Sequence, residues 1–455
     1  MLQTLAQYWN NFRTGLSRLY LNDRLFIGLG SLIVLAVLAY AFPWLLFLPI
    51  IGLAGLLGAL GFDIWQLYNR RLRIGVHRRL PKVLSLSDEM TVSIEIGNLS
   101  PIPLSAIIID ELPVQLQRRD LEITASLKPK QRKSLKYRIR PTERGAYLFG
   151  DINVFLQTAL GLVQRRFIIA QSAELPVYPS IIQMKEYELK AFSTSVPAPG
   201  MRKMRRLGKS YEFDQIKNYV RGDDYRSINW RATGRRNELM VNQYEDERSQ
   251  QIYCIIDKSR SMLMPFKELS LLDYAINASL ALSNVILKKH DRAGLITFSD
   301  KVGTVLRADS KSTQLQAILQ ALYREKERET ENNPELLYYA TRKFISGRSL
   351  LLLFSNYESE YALDRALPML RRIHANHLLV VILFENTEIR ESSEERANNI
   401  GEIYHQSTAR YFIYEKQMLA QRLRQYGIQV ILTKPEELTV NAINKYLELK
   451  KRGMI

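Results

Sequence analysis

Residues 25–60 carry no charged side chain and are almost wholly apolar, and this run limits the possible folds more than any other feature of the chain. One crossing of a bilayer's hydrocarbon takes ~20 predominantly apolar helical residues, so the run is nearly twice too long for a single span. Ala41-Phe42-Pro43-Trp44 interrupts it near the middle. The pattern predicts a helical hairpin within residues 25–66, with helices over 25–40 and 44–64 and with Trp44, Trp65 and Tyr68 as interfacial anchors. A cleaved signal peptide would have a shorter apolar core and a small-residue cleavage site. Arg13, Arg18 and Arg24 lie in the N-terminal segment 1–24, and Arg70, Arg71, Arg73, Arg78 and Arg79 follow the hairpin, whereas its turn has no basic residue. Basic residues collect on the cytoplasmic side of a membrane. The expectation is therefore a multi-pass protein of the plasma (inner) membrane with both termini and its main domains in the cytoplasm.

Beyond the hairpin the period changes. Met90-Thr-Val-Ser-Ile-Glu-Ile96 and Leu135-Lys-Tyr-Arg-Ile139 alternate polar and apolar side chains, while Pro101, Pro103, Pro113, Pro129, Pro141 and Gly145 break the run. Short alternating strands between such breaks predict an antiparallel β-sandwich over residues 70–190. No catalytic cluster lies in it, so its expected work is spacing or partner binding. A basic linker over 191–250 follows, containing Arg202, Lys203, Arg205, Arg206 and Lys209. These residues contribute to a net charge of +18. Basic residues beside a span gain ~1 kcal/mol each from anionic headgroups, which accounts for part of the excess. No recognition helix, zinc spacing or aromatic platform accompanies the charge, and nucleic acid is not an expected partner.

From residue 251 onward strands and helices alternate, which predicts a doubly wound parallel α/β sheet over 251–455. Its first strand, Ile252-Tyr253-Cys254-Ile255-Ile256, runs into Asp257-Lys258-Ser259-Arg260-Ser261. Open α/β sheets place ligands beyond the carboxyl ends of their strands, so this turn is the candidate site. One carboxylate and two hydroxyls form an all-oxygen set suited to Mg²⁺ or Mn²⁺. A strand-end turn capped by serines is the alternative. Asp257 is expected at a strand tip, outside the core. The single cysteine, Cys254, excludes an intramolecular disulfide and fits a reducing compartment.

The D-x-S-x-S turn and the order of strands and helices resemble von Willebrand factor type A domains and their metal-ion-dependent adhesion site. That resemblance implies two further ligands, Thr330 and Asn356. Asn356 stands where the pattern has an acidic residue, leaving Asp257 the only anion among Asp257, Ser259, Ser261, Thr330 and Asn356. The cation would be weakly bound and would favour a carboxylate brought by a protein partner. The segment Tyr219-Val220-Arg221-Gly222-Asp223-Asp224-Tyr225-Arg226-Ser227-Ile228-Asn229-Trp230-Arg231-Ala232-Thr233-Gly234-Arg235-Arg236, with Glu238-Leu239 and Gln243-Tyr244-Glu245, resembles the bacterial family called domain of unknown function 58. This second resemblance implies an inner-membrane protein with a von Willebrand type A-like domain, often encoded beside MoxR-type AAA+ ATPases. It implies no known reaction. Physically, Asp223, Asp224, Arg226, Arg231, Arg235 and Arg236 around Trp230 read as a charge-paired hinge whose indole packs on the sheet.

Three functional classes follow. The first is a membrane-tethered protein-interaction module, adaptor or partner of an ATPase. The second is a purely structural scaffold with a vestigial metal site. The third, a strand-end-aspartate phosphatase, would carry D-x-D-x-T, and here Ser259 takes the place of the second carboxylate, leaving no general acid. The five histidines have no metal-ligand spacing, and no G-x-x-x-x-G-K-[ST] loop occurs. No enzyme activity and no small-molecule substrate are expected. The hairpin reading makes its own prediction: Ile33→Arg hinders membrane insertion, by ~2.5–3.5 kcal/mol for a charge at mid-span, read as a loss of chains in the membrane fraction.

Overall fold

Asn22 opens the first apolar helix, its side chain accepting the Asp23 N–H at 3.0 Å. The helix, α1, runs Asp23–Ala41, and a 3₁₀ turn at Pro43–Leu45 leads into α2, Phe47–Tyr68. Both are long and apolar enough to cross a membrane. They touch closely at Gly52, where a Cβ would lie 2.5 Å from a Leu32 methyl. Trp44 and Trp65 are exposed, as are Ile33, Val37 and Ile51. The computed structural model describes residues 18–45, 47–69, 71–118, 121–193, 212–220, 223–245, 249–267, 269–394 and 399–455. Arg13, Arg70, Arg202, Lys203, Arg205, Arg206, Lys209 and Arg221 lie outside them. The chain divides into two compact units, Met1–Tyr178 and Pro179–Ile455.

In the first unit the strands are β1 (Leu19–Leu21), β2 (Ile74–Arg79), β3 (Leu84–Ser85), β4 (Met90–Asn98), β5 (Leu104–Asp110), β6 (Glu122–Leu127), β7 (Arg132–Ile139), β8 (Gly145–Phe149), β9 (Ile152–Gln157), β10 (Val163–Ile169) and β11 (Ala173–Tyr178). They form a five-stranded antiparallel sheet in the order β1-β10-β9-β5-β6, an antiparallel sheet β2-β4-β7, and a small sheet β3-β11-β8. The edge strand β1 comes from before the hairpin, so residues 19–21 add to a sheet instead of forming a separate segment.

The charge at Asp63 lies inside α2, fully buried. Its carboxylate accepts the Leu162 N–H at 2.9 Å, the Val163 N–H at 3.2 Å and the Thr158 hydroxyl. Arg165 returns the tie, donating to the Leu67 carbonyl at 2.7 Å and lying over the Tyr68 ring. The end of α2 is thereby bonded to the loop that opens β10. Arg78, counted above with the basic flank of the hairpin, is instead buried and pairs with Asp110 at 2.5 Å. Tyr137 donates to the other Asp110 oxygen, and burial, then the Asp110 charge, holds that phenol above its ordinary range.

The second unit holds the hairpin β12 (Glu212–Asn218) and β13 (Met240–Glu245), then a six-stranded sheet with a two-strand ribbon, β15 (Pro265–Phe266) and β16 (Leu269–Ser270), beside it. The sheet strands are β14 (Gln251–Asp257), β17 (Arg292–Phe298), β18 (Val302–Asp309), β19 (Leu350–Phe354), β20 (Leu378–Phe384) and β21 (Gln429–Thr433), in the order β18-β17-β14-β19-β20-β21. Five run parallel and β18 runs antiparallel to β17, so the sheet is mixed, not wholly parallel as expected. The cause is the short link between β17 and β18. A parallel return needs a crossover of a dozen or more residues.

The helices are α3 (Ile181–Ser193), α4 (Trp230–Arg236), α5 (Leu271–Lys288), α6 (Gln314–Arg324), α7 (Pro334–Phe344), α8 (Glu360–Asn376), α9 (Thr387–Glu394), α10 (Ile400–Gln425) and α11 (Leu438–Lys451). Alternate side chains of β14 feed two cores: Ile252, Cys254 and Ile256 pack with α5, α6 and α11, whereas Tyr253 and Ile255 pack with α7, α8 and α10. Cys254 is fully buried in the first of these cores, and burial pushes its thiol up to about 12. Trp230 departs from expectation: it is 71% exposed on the first turn of α4. Asp223 pairs with Lys217 at 2.9 Å, and among the described residues no ion pair joins it to the arginines around Trp230.

Breaking the Arg78–Asp110 pair leaves a buried charge without its partner. Asp110→Ala is expected to destabilise the first unit by about 3–5 kcal/mol, measured as a fall in the denaturant midpoint.

Candidate functional site

The site lies where the chain diverges. From β14 the sheet grows toward β17 in one direction and toward β19 in the other, and the loops leaving these strands open a crevice beyond their carboxyl ends. Asp257, the last residue of β14, is fully buried there. Its Oδ1 accepts the Ser259 N–H at 2.9 Å; its Oδ2 accepts the Ser355 hydroxyl at 2.7 Å and the Asn332 side-chain amide at 2.6 Å. Burial raises the Asp257 carboxyl above the ordinary range, against the opposing pull of these donors. Backbone bonds tie the loops together as well, Arg260 N–H to the Thr330 carbonyl at 2.9 Å and Arg328 N–H to the Lys258 carbonyl at 3.1 Å.

Four of the five expected ligands meet in this network. The hydroxyls of Ser259 and Ser261 are 3.1 Å apart, and the Asn356 amide donates to the Ser261 carbonyl at 3.1 Å. Thr330 joins through its carbonyl, and its hydroxyl donates to Asp300 at 3.0 Å. The Asn356 side-chain oxygen is also engaged: it accepts the Lys416 ammonium at 2.6 Å, and the same ammonium donates to the Tyr357 carbonyl at 2.6 Å. Burial lowers Lys416 to about 8, with the charges of Glu358 and Glu415 opposing.

A carboxylate offers about four lone-pair sites, and three of those on Asp257 are already used. One remaining site and the hydroxyls of Ser259 and Ser261 fit a weakly held, mostly hydrated Mg²⁺ or Mn²⁺, since Mg²⁺ keeps several waters when few carboxylates bind it. Thr330 and Asn356 each keep an acceptor site on the side-chain oxygen, since the Thr330 hydroxyl donates to Asp300 and the Asn356 oxygen accepts a single bond from Lys416. Among the described residues no group of three or more His, Cys, Asp or Glu gathers.

Beside the turn, Lys258 pairs with buried Glu325 at 2.6 Å, and Thr297 and Thr304 donate to the other Glu325 oxygen. Burial alone would raise Glu325; Lys258 and the two hydroxyls outweigh it and hold the carboxyl below its ordinary range. Gly303 makes room for this cluster, since a Cβ there would lie 2.9 Å from Lys258 Nζ. Asn332, Ser355 and Lys416 were not anticipated. An Asn two residues past Thr330 and a Ser beside Asn356 could have been read as donors to Asp257; nothing in the sequence pointed to Lys416.

Residues 215–405 match the family described as "Protein of unknown function DUF58". This segment contains Asp257, Ser259, Ser261, Thr330 and Asn356 and stops before Lys416. The chain is 23% identical over 246 residues to "Uncharacterized protein YeaD" of Bacillus subtilis, covering 51% of this chain and 59% of that protein. It thus spans about three fifths of that relative. Among solved structures, a CARDB domain from Pyrococcus furiosus is 17% identical at a TM-score of 0.17, covering 25% of this chain and 97% of its own. A PapD-like domain of human CEP192 is 12% identical at a TM-score of 0.18, with 23% and 86% covered. Neither likeness is close enough to bear on fold or activity here.

Two predictions follow from the network. Asn332→Ala removes one donor from a buried anion and is expected to destabilise the second unit by about 1–3 kcal/mol; combined with Asp257→Asn the loss should be less than additive in a double-mutant cycle of denaturant midpoints. Lys416 is held below the lysine value of an unfolded chain, so the unfolded state binds more protons between the two values and stability rises as pH climbs from about 8 toward the ordinary lysine range. The denaturant midpoint of Lys416→Met should lack that rise when compared with the parent over the same pH series.

Proposed function

We propose that this chain is a membrane-tethered protein-interaction module, an adaptor or partner of a MoxR-type AAA+ ATPase, whose capturing surface is the loop rim beyond the carboxyl ends of β14, β17 and β19. The observation that carries this reading is the Asp257 network. It fastens three loops into one rim and leaves the carboxylate at the end of β14 buried and hydrogen-bonded, a poor nucleophile. On this rim Arg260 and Arg365 both reach Glu331, at 2.8 and 2.7 Å, and so present an exposed charged surface to a partner.

In this reading the unit over 251–455 is von Willebrand type A-like, residues 70–190 form a sandwich, 191–250 a basic linker, and 25–66 a hairpin spanning the plasma (inner) membrane. The exposed apolar faces of α1 and α2 support the hairpin, because contiguous apolar surface of that extent favours hydrocarbon over water. Asp257, Ser259 and Ser261 would hold Mg²⁺ or Mn²⁺, and the ion would supply positive charge to a partner's carboxylate. Thr330 and Asn356 would be the ion's outer or weaker ligands.

The test is co-purification of a MoxR-type AAA+ ATPase with the full chain from membranes, with and without chelator. Capture is expected from the parent, weakened by Arg260→Glu and, if the ion takes part, by chelator and by Ser261→Ala. Capture unaffected by chelator and by Ser261→Ala removes the metal from the reading; no capture at all leaves the structural scaffold. Orientation is checked separately. Protease added outside intact spheroplasts is expected to leave both units uncut, and their digestion would reverse the topology.

A further inference from the structure

A cavity of about 370 Å³ opens beyond the carboxyl ends of β19, β20 and β21, between the β15 ribbon and helices α9 and α10. Ligand pockets typically span ~300–1,000 Å³ and combine apolar walls with a few placed polar groups. Here the walls include buried Phe266 and Phe384, with Ile389 of α9 and Phe412 of α10 closing over them. Lys416 lines the same space.

That lysine is the unusual element. Its ammonium rests on two neutral acceptors, Asn356 Oδ1 and the Tyr357 carbonyl, each at 2.6 Å, and makes no ion pair among the described residues. The other cation of the lining, Arg390, is already paired with Glu385 at 3.0 Å. An ammonium has three donors, so one remains for a further acceptor. Glu358 and Glu415 act on this ammonium only at a distance; a partly desolvated charge without a directly bonded counter-ion is costly, and an anion brought beside it relieves that cost. Glu358 and Glu385 also line the cavity, so a dianion such as a phosphate ester would meet repulsion from both, while a single carboxylate is the least negative charge that can pair directly with the Lys416 ammonium.

We propose that this cavity binds a small monocarboxylate with an apolar body, its carboxylate on Lys416 and its body between Phe384, Ile389 and Phe412. The site is separate from the cation-binding turn, although Asn356 touches both, donating to the Ser261 carbonyl and accepting from Lys416. It does not rest on the protein-capture reading.

The test uses the full chain in non-ionic detergent, titrated calorimetrically with 3-phenylpropionate and with its uncharged amide, 3-phenylpropanamide. The acid is expected to bind at least tenfold more tightly than the amide, to be unaffected by chelator, and to fall to the level of the amide in Lys416→Met. Ile389→Trp enlarges a lining side chain while keeping Lys416 and should weaken both compounds; thermal unfolding of each variant reports whether it is folded. The proposal is overturned if the amide binds as well as the acid, if neither binds at millimolar concentration, or if chelator abolishes binding. It is also overturned if folded Lys416→Met, or folded Ile389→Trp, binds the acid as the parent does.

Discussion

A carboxylate taken out of water must collect donors, and Asp257 sets the form of the second unit's working end by doing so. Each of its donors comes from a different place in the chain: Ser259 from its own turn, Asn332 from the segment before α7, Ser355 from the end of β19. Losing one would leave a buried anion underbonded, at about 1–3 kcal/mol or more for a charged group. The loops are therefore held by a shared acceptor as well as by their own turn chemistry. A rim held in this way would lose little conformational freedom on binding.

The first unit uses the same physics at Asp63. A charge inside an apolar helix is expensive and usually marks a function or a specific partner. Here the partners are two backbone N–H groups and a hydroxyl from the loop leading into β10. Asn22 adds to the tie from the start of α1, donating to the Gly161 carbonyl at 2.9 Å. Both ends of the apolar pair are thus bonded to one loop, so in this unit the hairpin and the five-stranded sheet are joined by hydrogen bonds and not merely by a flexible linker.

What the sequence made legible follows from period and polarity. The continuous apolar runs of β14, β19 and β20 admit no exposed face, and each lies buried in the sheet. The apolar spacing over residues 270–289 predicts a helix, and α5 runs Leu271–Lys288. By contrast, the spacing reads as helical only over residues 417–426, at the end of α10, because Ile400, Tyr404, Tyr411 and Phe412 are exposed and their apolar side chains blur the helical stripe. The site was legible only as far as local spacing reaches. Asp257, Ser259 and Ser261 are neighbours in sequence, and their turn was readable; Asp257 itself proved buried, not a free strand tip. Thr330 and Asn356 were placed near it by element order, but their hydrogen-bond partners are Asp300, thirty residues away, and Lys416, sixty residues away. Spacing within a motif carries no information about such distant partners.

Asn356 shows why the departure from an acidic residue is coherent with its surroundings. An amide presents a donor and an acceptor at once, and this one uses both, giving its N–H to the Ser261 carbonyl and its oxygen to Lys416. An aspartate in its place could keep only the second contact. It would leave the Ser261 carbonyl without that donor and set a negative charge against the ammonium, forming an ion pair that draws Lys416 toward the ordinary lysine range. The neutral amide does the opposite. It steers the ammonium without neutralising it, so the positive charge on this side of the crevice is still available to an anion from outside.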